Sequence, residues 1–372
     1  MKIVIYIESL RTFTSGTPHR GVLFKLIELR SNDEFVLVLR KGGLPEHMQE
    51  LFNKLKKFSN WSLRYEKISR KLVNMLALLN FKNHCEIKAE GDVYLSFDAE
   101  YLGFKNHPQI VTLHDLSSVR NSKSSSISPL KRIARKFTIE NGIKHADHIV
   151  AISEFTKNDL LDYFDMAQKE ITVIHNGIDK KWFHESISNT TSYNDNYWIW
   201  WGAYSQRKNL ERLLQAYELL LKETDNIPDL YLVGNQNEYF VKLLLIIEGS
   251  KVLKRKVKIY PQQDIDNLKV LVSNSVGLVF PSLYEGFGLP VIEAYSQGVP
   301  VLTSNMSSLP EISGGLGVLV DPNDTIDIKN GLLKFNMVQH NHDEKLKQWA
   351  EQFTYKNSAL KYAELIDRCL KK

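Results

Sequence analysis

Pro281-Ser-Leu-Tyr-Glu285-Gly-Phe-Gly-Leu-Pro290-Val-Ile-Glu293 is the stretch from which the rest of this chain can be read. The Val276-Gly-Leu-Val-Phe280 run before it has the short apolar character of a buried parallel strand, and Pro290 suits the first turn of a helix. The unit therefore reads strand, loop, helix. At such a junction the unpaired N–H groups and the dipole of the helix face the loop, and Gly286 and Gly288 let the backbone come close to a ligand, most simply a diphosphate. Glu285 stands in the loop and Glu293 about one turn inside the helix. Carboxylates repel phosphate but accept hydrogen bonds from hydroxyls, so the pair suits a ligand carrying both a diphosphate and sugar rings. Two glutamates are ordinarily solvated charges. The flanking glycines and the junction favour the ligand reading here.

These residues resemble the E-x7-E signature of the retaining glycosyltransferases of family 4, which have the GT-B fold, and the match is close from Glu285 through Ala294. In that family the first Glu contacts hydroxyls of the donor sugar, the second contacts the nucleotide ribose, and the backbone between them helps hold sugar and phosphates. The resemblance implies these roles for Glu285 and Glu293, with Gly286, Phe287, Gly288 and Leu289 in the donor-binding backbone.

Working outward, short apolar runs alternate with helical patterns: Ile3–Ile7, Phe35–Leu39, Val93–Phe97, Ile110–Leu113, Ile149–Ile152 and Ile171–Ile174 in the first half. Trp198–Trp201, Leu230–Val233, Val257–Tyr260, Val276–Phe280 and Val301–Thr303 follow in the second. This is the alternation of an α/β fold with parallel sheets, repeated as two Rossmann-like doubly wound halves, with the ligand expected in a cleft between them. Ala146–Thr156 and Val173–Asp179 also look like the end of the family's N-terminal domain. The resulting division is an acceptor-side domain over residues 1–180, a nucleotide-sugar domain over 181–354, and a terminal helix over 355–372. The resemblance implies that this helix, patterned by Leu360, Ala363, Leu365, Ile366 and Leu370, crosses back to the first domain.

After the second half's first strand comes Ala203-Tyr-Ser-Gln-Arg207-Lys208-Asn209-Leu210, then a helix with Leu210, Leu213, Leu214, Tyr217 and Leu220 on one face. Cations at a helix start oppose the dipole unless an anion lies against them, and a bound diphosphate would be such an anion. The segment looks like the family's R-K-N motif, which implies that Arg207 and Lys208 neutralise the donor diphosphate. Preplaced positive charge stabilises a departing nucleoside diphosphate, so no metal is required. This expectation treats the chain as lacking an Asp-x-Asp motif.

In the first half, Val111-Thr-Leu-His114-Asp115 puts a polar pair just beyond a strand. It resembles the family's H-D motif, which makes His114 the catalytic residue of that domain. Asp115 either shares that work or caps its loop. Thr14-Ser-Gly16-Thr-Pro18-His19-Arg20-Gly21 departs from the family's Gly-Gly loop, leaving Gly16 and Arg20 as acceptor or phosphate contacts, with a surface role for Arg20 as the alternative.

Size and composition fit two globular domains: 372 residues, 43% hydrophobic and 24% charged. Cys85 and Cys369 belong to no paired or metal-binding motif, and no apolar run reaches the roughly 18 residues needed to span a bilayer. A cytoplasmic location is expected. The net charge of +5 falls short of a nucleic-acid signature. Ser128–Phe137 reads as an amphipathic helix with Leu130, Ile133, Ala134 and Phe137 along its packed side. The alternative, which Lys251–Lys258 also leaves open, is peripheral association with anionic lipid on the inner face of the membrane.

The sequence thus leads to a retaining, metal-independent glycosyltransferase without a cofactor, moving a hexose (mannose or rhamnose) from a nucleotide-sugar donor to a glycan or lipid-linked glycan acceptor. It resembles bacterial enzymes of surface polysaccharide synthesis. The competing readings are a nucleotide-sugar epimerase or hydrolase on the same fold, and a noncatalytic partner subunit.

Overall fold

The computed structural model describes residues 1–11, 16–40, 42–66, 89–99, 108–120, 129–164, 170–184, 196–337 and 343–371. Two compact units result: Met1–Asn121 with Ile127–Gly177 and Thr354–Lys372, and Ile178–Phe353.

The first unit is built on seven parallel strands among the described residues, β1 (Lys2–Tyr6), β2 (Glu34–Arg40), β3 (Trp61–Glu66), β4 (Val93–Ser96), β5 (Gln109–Leu113), β6 (His148–Ala151) and β7 (Glu170–Val173). Their order is β3-β2-β1-β4-β5-β6-β7. The chain winds outward from β1 and then returns to place β4 on its other side. The strand order therefore reverses between β1 and β4, where an open sheet leaves a crevice at its carboxyl ends. Ile3, Ile5, Leu37, Val93 and Leu95 form the core with Val22, Leu23, Leu26 and Ile27 of the helix Thr17–Leu29.

The second unit repeats the plan with β8 (Tyr197–Trp201), β9 (Asp229–Val233), β10 (Val257–Tyr260), β11 (Gly277–Phe280), β12 (Val301–Ser304) and β13 (Val318–Val320), ordered β10-β9-β8-β11-β12-β13. Here the reversal lies between β8 and β11, which pair through Gly277 with Trp198 and Leu278 with Ile199. The loops that leave these two strands carry the Arg-Lys-Asn and Glu-x7-Glu segments. Leu210, Leu213, Leu214, Tyr217 and Leu220 of the helix Leu210–Glu223 are all buried, as their spacing requires.

Three particulars differ from the sequence reading. Strand β3 has no apolar run because it is an edge strand with partly exposed side chains, so little hydrophobic patterning is needed, whereas β13, Val318-Leu319-Val320, is apolar but only three residues long. The helix Pro129–His145 packs through Ile139 and Ile143, while Ile133 and Phe137 are about half exposed. The expected packed side is therefore wrong, because the helix runs two turns further and its second half meets the core. The helix Tyr355–Leu370 packs on the first unit through Ala359, Tyr362, Leu365 and Ile366, with Tyr362 Oη 2.8 Å from Thr112 Oγ1; Leu360 and Leu370 lie outside that face.

Cys369 forms no disulfide among the described residues, and Cys85 lies outside them, as do Thr14 and Ser15. No helix among the described residues is long and apolar enough to cross a membrane.

Candidate active site

In the second unit the two loops at the reversal point are joined by an ion triad. Glu285 Oε2 accepts from Arg207 Nη1 at 2.7 Å and Glu285 Oε1 from Lys208 Nζ at 2.8 Å. Arg207 Nη1 also donates to the Tyr284 carbonyl at 2.6 Å, and the Lys208 ammonium lies 4.6 Å from the centre of the Phe280 ring. Glu285 and Lys208 are buried, at 7% and 8% exposure. Burial alone would raise the Glu285 carboxyl. The charges of Arg207 and Lys208 outweigh it and hold the carboxyl at about 2. Glu285 is thus an anion at any working pH, and the cations that oppose the helix dipole find their counter-ion inside the protein.

The backbone around the triad is tightly braced. Gln206–Lys208 form a short 3-10 turn ending at Asn209, whose φ of 61° is left-handed and whose side-chain amide donates to the carbonyls of Pro281 (3.0 Å) and Pro322 (2.7 Å). The Ser308 hydroxyl lies 2.9 and 2.7 Å from the carbonyl oxygens of Glu285 and Phe287, and Ser307 Oγ accepts from Glu285 N at 3.1 Å. Phe287 is buried against Phe353. Gly288 begins the helix Leu289–Ser296 at a φ of 105°, and a Cβ there would stand 2.7 Å from Leu309 Cδ2. Pro290 lies in the first turn, as expected.

Glu293, one turn into this helix, meets the last residue of β8: Trp201 Nε1 donates to Glu293 Oε2 at 2.9 Å. Burial pushes the Glu293 carboxyl up to about 7, against the lowering effects of the indole hydrogen bond and the Lys208 charge. The two glutamates of one motif therefore have opposite electrostatics. One is clamped by cations as a permanent anion, and the other titrates near neutrality.

The first unit has its own polar cluster at the β1/β4 reversal. His114, after β5, places Nε2 2.8 Å from the Phe97 carbonyl, so that nitrogen carries a proton and donates to it. Asp115 Oδ1 accepts from Ser117 N at 2.9 Å, which gives it the loop-capping role. Sequence reasoning passed over His19: it is 1% exposed, and its ring lies 4.7 Å from His114 and 4.8 Å from Phe97. Its position at the start of the helix that follows β1 was the available signal. Asp98 and Arg135 were also missed as a pair, joined at 2.9 Å beside Phe97. Gly16 caps the helix Thr17–Leu29 through its carbonyl, which accepts from Arg20 N at 3.0 Å. The Arg20 guanidinium donates to the Leu10 carbonyl and to Thr17 Oγ1, at 2.8 and 2.6 Å.

One Asp-x-Asp does occur, Asp264-Ile-Asp266, which corrects the reading that the chain has none. Asp264 caps the helix Ile265–Ser273 by accepting from Asn267 N, and Asp266 pairs with Lys181 at 2.8 Å. Both carboxylates have structural work.

Known proteins resemble this chain in sequence and fold. Glycosyltransferase Family 4 matches residues 91–182, and glycosyl transferases group 1 matches residues 184–353. The chain belongs to the family 4 glycosyltransferases. It is 29% identical to O-antigen chain mannosyltransferase B of Escherichia coli over 63% of this chain and 62% of that one. It is 25% identical to O-antigen chain mannosyltransferase RfbU of Salmonella typhimurium over 58% and 57%. The chain thus spans about 60% of the length of these two curated relatives. The sucrose-phosphate synthase structure from Thermosynechococcus elongatus superposes with a TM-score of 0.74 at 17% identity, covering 99% of this chain and 98% of that one, which establishes the shared GT-B fold.

Proposed function

We propose that this family 4 glycosyltransferase moves a hexose from a nucleoside diphosphate sugar to a glycan or lipid-linked glycan, with retention of configuration and without a metal. The observation that carries this reading is the packing of Arg207, Lys208, Glu285 and Glu293 around the start of the helix Leu289–Ser296. Breaking the bond between sugar and phosphate leaves negative charge on the nucleoside diphosphate. Arg207 and Lys208 oppose it with fixed positive charge, and the first-turn N–H groups of the helix add donors. Glu285 holds the two cations in place. Glu293 offers a carboxylate to hydroxyls, consistent with the ribose role that the family resemblance gives it.

With a carboxyl at about 2, Glu285 is too weak a base to take a proton near neutrality, so this reading gives it a positioning and hydroxyl-binding part. The resemblance gives His114 to the transferred sugar. Similarity to the two O-antigen mannosyltransferases favours mannose as the sugar and a surface-polysaccharide precursor as the acceptor, met on the cytoplasmic side of the membrane.

The test is a thermal-shift screen against nucleoside diphosphate hexoses, followed by incubation of the best donor with lipid-linked oligosaccharides in the presence of EDTA. The expected result is stabilisation by one donor, sugar transfer unaffected by the chelator, and a product with the donor's anomeric configuration by NMR. Failure of every donor to stabilise the protein would refute the reading. Rapid donor turnover without an acceptor would replace it with a hydrolase or epimerase.

A further inference from the structure

Glu293 is held on one side only. Its Oε2 accepts the Trp201 indole N–H, whereas Oε1 makes no hydrogen bond among the described residues. Trp201 is itself fixed: it ends β8, is 6% exposed, and stacks on Trp182 at 6.4 Å between ring centres and 19° between planes. Trp182 is tied back to the end of the helix that carries Glu293, because Gln297 Nε2 donates to the Trp182 carbonyl. The contacts close a ring running from Glu293 through Trp201, Trp182 and Gln297 to the same helix. The charged group acting on the carboxylate is Lys208, to which Glu285 is bound, with Arg207 on the other Glu285 oxygen; Lys181 and Lys269 near Trp182 are engaged elsewhere, with Asp266 and the Lys181 carbonyl.

We propose that Trp201 is a positioning residue for the nucleotide: its indole N–H pins one oxygen of Glu293 and so presents the other to the vicinal hydroxyls of the ribose. The proposal rests on the donor-site reading above. A carboxylate oxygen has two lone pairs, so Oε1 can accept both hydroxyl protons, and a side chain fixed in advance loses less freedom on binding. The indole hydrogen bond also favours the ionised form, which is the form that accepts from a diol. Neither effect touches the bond that breaks. Trp201 should therefore act on donor binding and leave the chemical step alone.

The test is Trp201→Phe, which keeps the stacking on Trp182 and deletes the donor. The expected result is a KM for the nucleotide sugar raised about tenfold with kcat within about twofold, since hydrogen bonds to charged groups are worth that order. The acid limb of kcat/KM should move to higher pH by about half a unit, a shift that lost packing alone would not cause. In the Glu293→Gln background, Trp201→Phe should add little. A second measurement needs no Trp201 variant: in 15N-indole NMR of the wild-type chain, one indole signal should titrate with a midpoint near neutrality, and that titration should vanish in Glu293→Gln.

Absence of any such titration, or an unchanged KM and acid limb in Trp201→Phe, would overturn the proposal while wild-type binding of UDP, GDP or dTDP by calorimetry leaves the donor reading standing. If the wild type binds none of these, the donor reading itself falls, and the proposal with it.

Discussion

Replacing Glu285 by glutamine keeps the shape of the side chain and removes the charge on which two cations depend. In the folded chain the carboxyl sits at about 2 against an ordinary 4.5, because Arg207 and Lys208 lie 2.7 and 2.8 Å from its oxygens. By linkage that difference corresponds to about 3 kcal/mol at neutral pH, the lower end of the roughly 3–5 kcal/mol seen when one partner of a buried pair is removed. The folded value is depressed, so the contribution is complete above pH 4.5 and is lost as pH falls towards 2. Five of the six tryptophans, at 182, 198, 200, 201 and 349, belong to the second unit, so their fluorescence during urea unfolding reports on this unit. With a urea slope of about 2 kcal/mol/M, Glu285→Gln should lower the midpoint by about 1.5 M at pH 7 and by markedly less at pH 3. Inorganic pyrophosphate supplies the missing anion and should stabilise the variant by up to about 2.7 kcal/mol at a hundredfold excess over its dissociation constant, and the wild type by less. A variant within about 0.5 kcal/mol of wild type at pH 7 would refute the argument that the triad holds these loops together.

Three other outcomes follow from the same geometry. Lys208→Ala should lower turnover at least about tenfold, equivalent to about 1.4 kcal/mol, and should also lower stability because Glu285 loses a buried partner; near-normal steady-state rates would remove Lys208 from the site. Glu293→Gln should be more stable than wild type at pH 8 by about 3 kcal/mol and equal to it at pH 4, read from urea midpoints. Its folded carboxyl lies at about 7, above the ordinary 4.5, so the native chain loses stability as pH rises through that window. Gly288→Ala should cost about 1–3 kcal/mol in the same assay and weaken nucleotide binding in calorimetry, because a side chain at a φ of 105° is strained and its Cβ would meet Leu309.

Much of the fold was legible because the central strands are buried on both faces, and burial on both faces writes a continuous apolar run into the sequence. Ile3–Ile7 and Trp198–Trp201 are such runs. The edge strand β3 left no such mark, since half its side chains meet solvent, and β13 is apolar but too short, at three residues, to stand out as a run. The same limit explains the helix Pro129–His145: its 3.6-residue pattern identified a helix, but which stretch meets the core depends on where the helix lies over the sheet.

The sequence by itself determined the strand-loop-helix units, the glycine that starts the helix Leu289–Ser296, and the presence of two carboxylates and two cations at strand ends. Those are local matters of backbone conformation and hydrophobic period. The tertiary structure decided which charges meet. Residues 207 and 285 are far apart in the chain and become partners only because β8 and β11 lie side by side at the reversal of strand order. It likewise decided that Glu285 is clamped as an anion while Glu293 faces an indole and titrates near neutrality. A pKa depends on burial and on charges brought together through space, and the spacing of two glutamates along a chain carries neither.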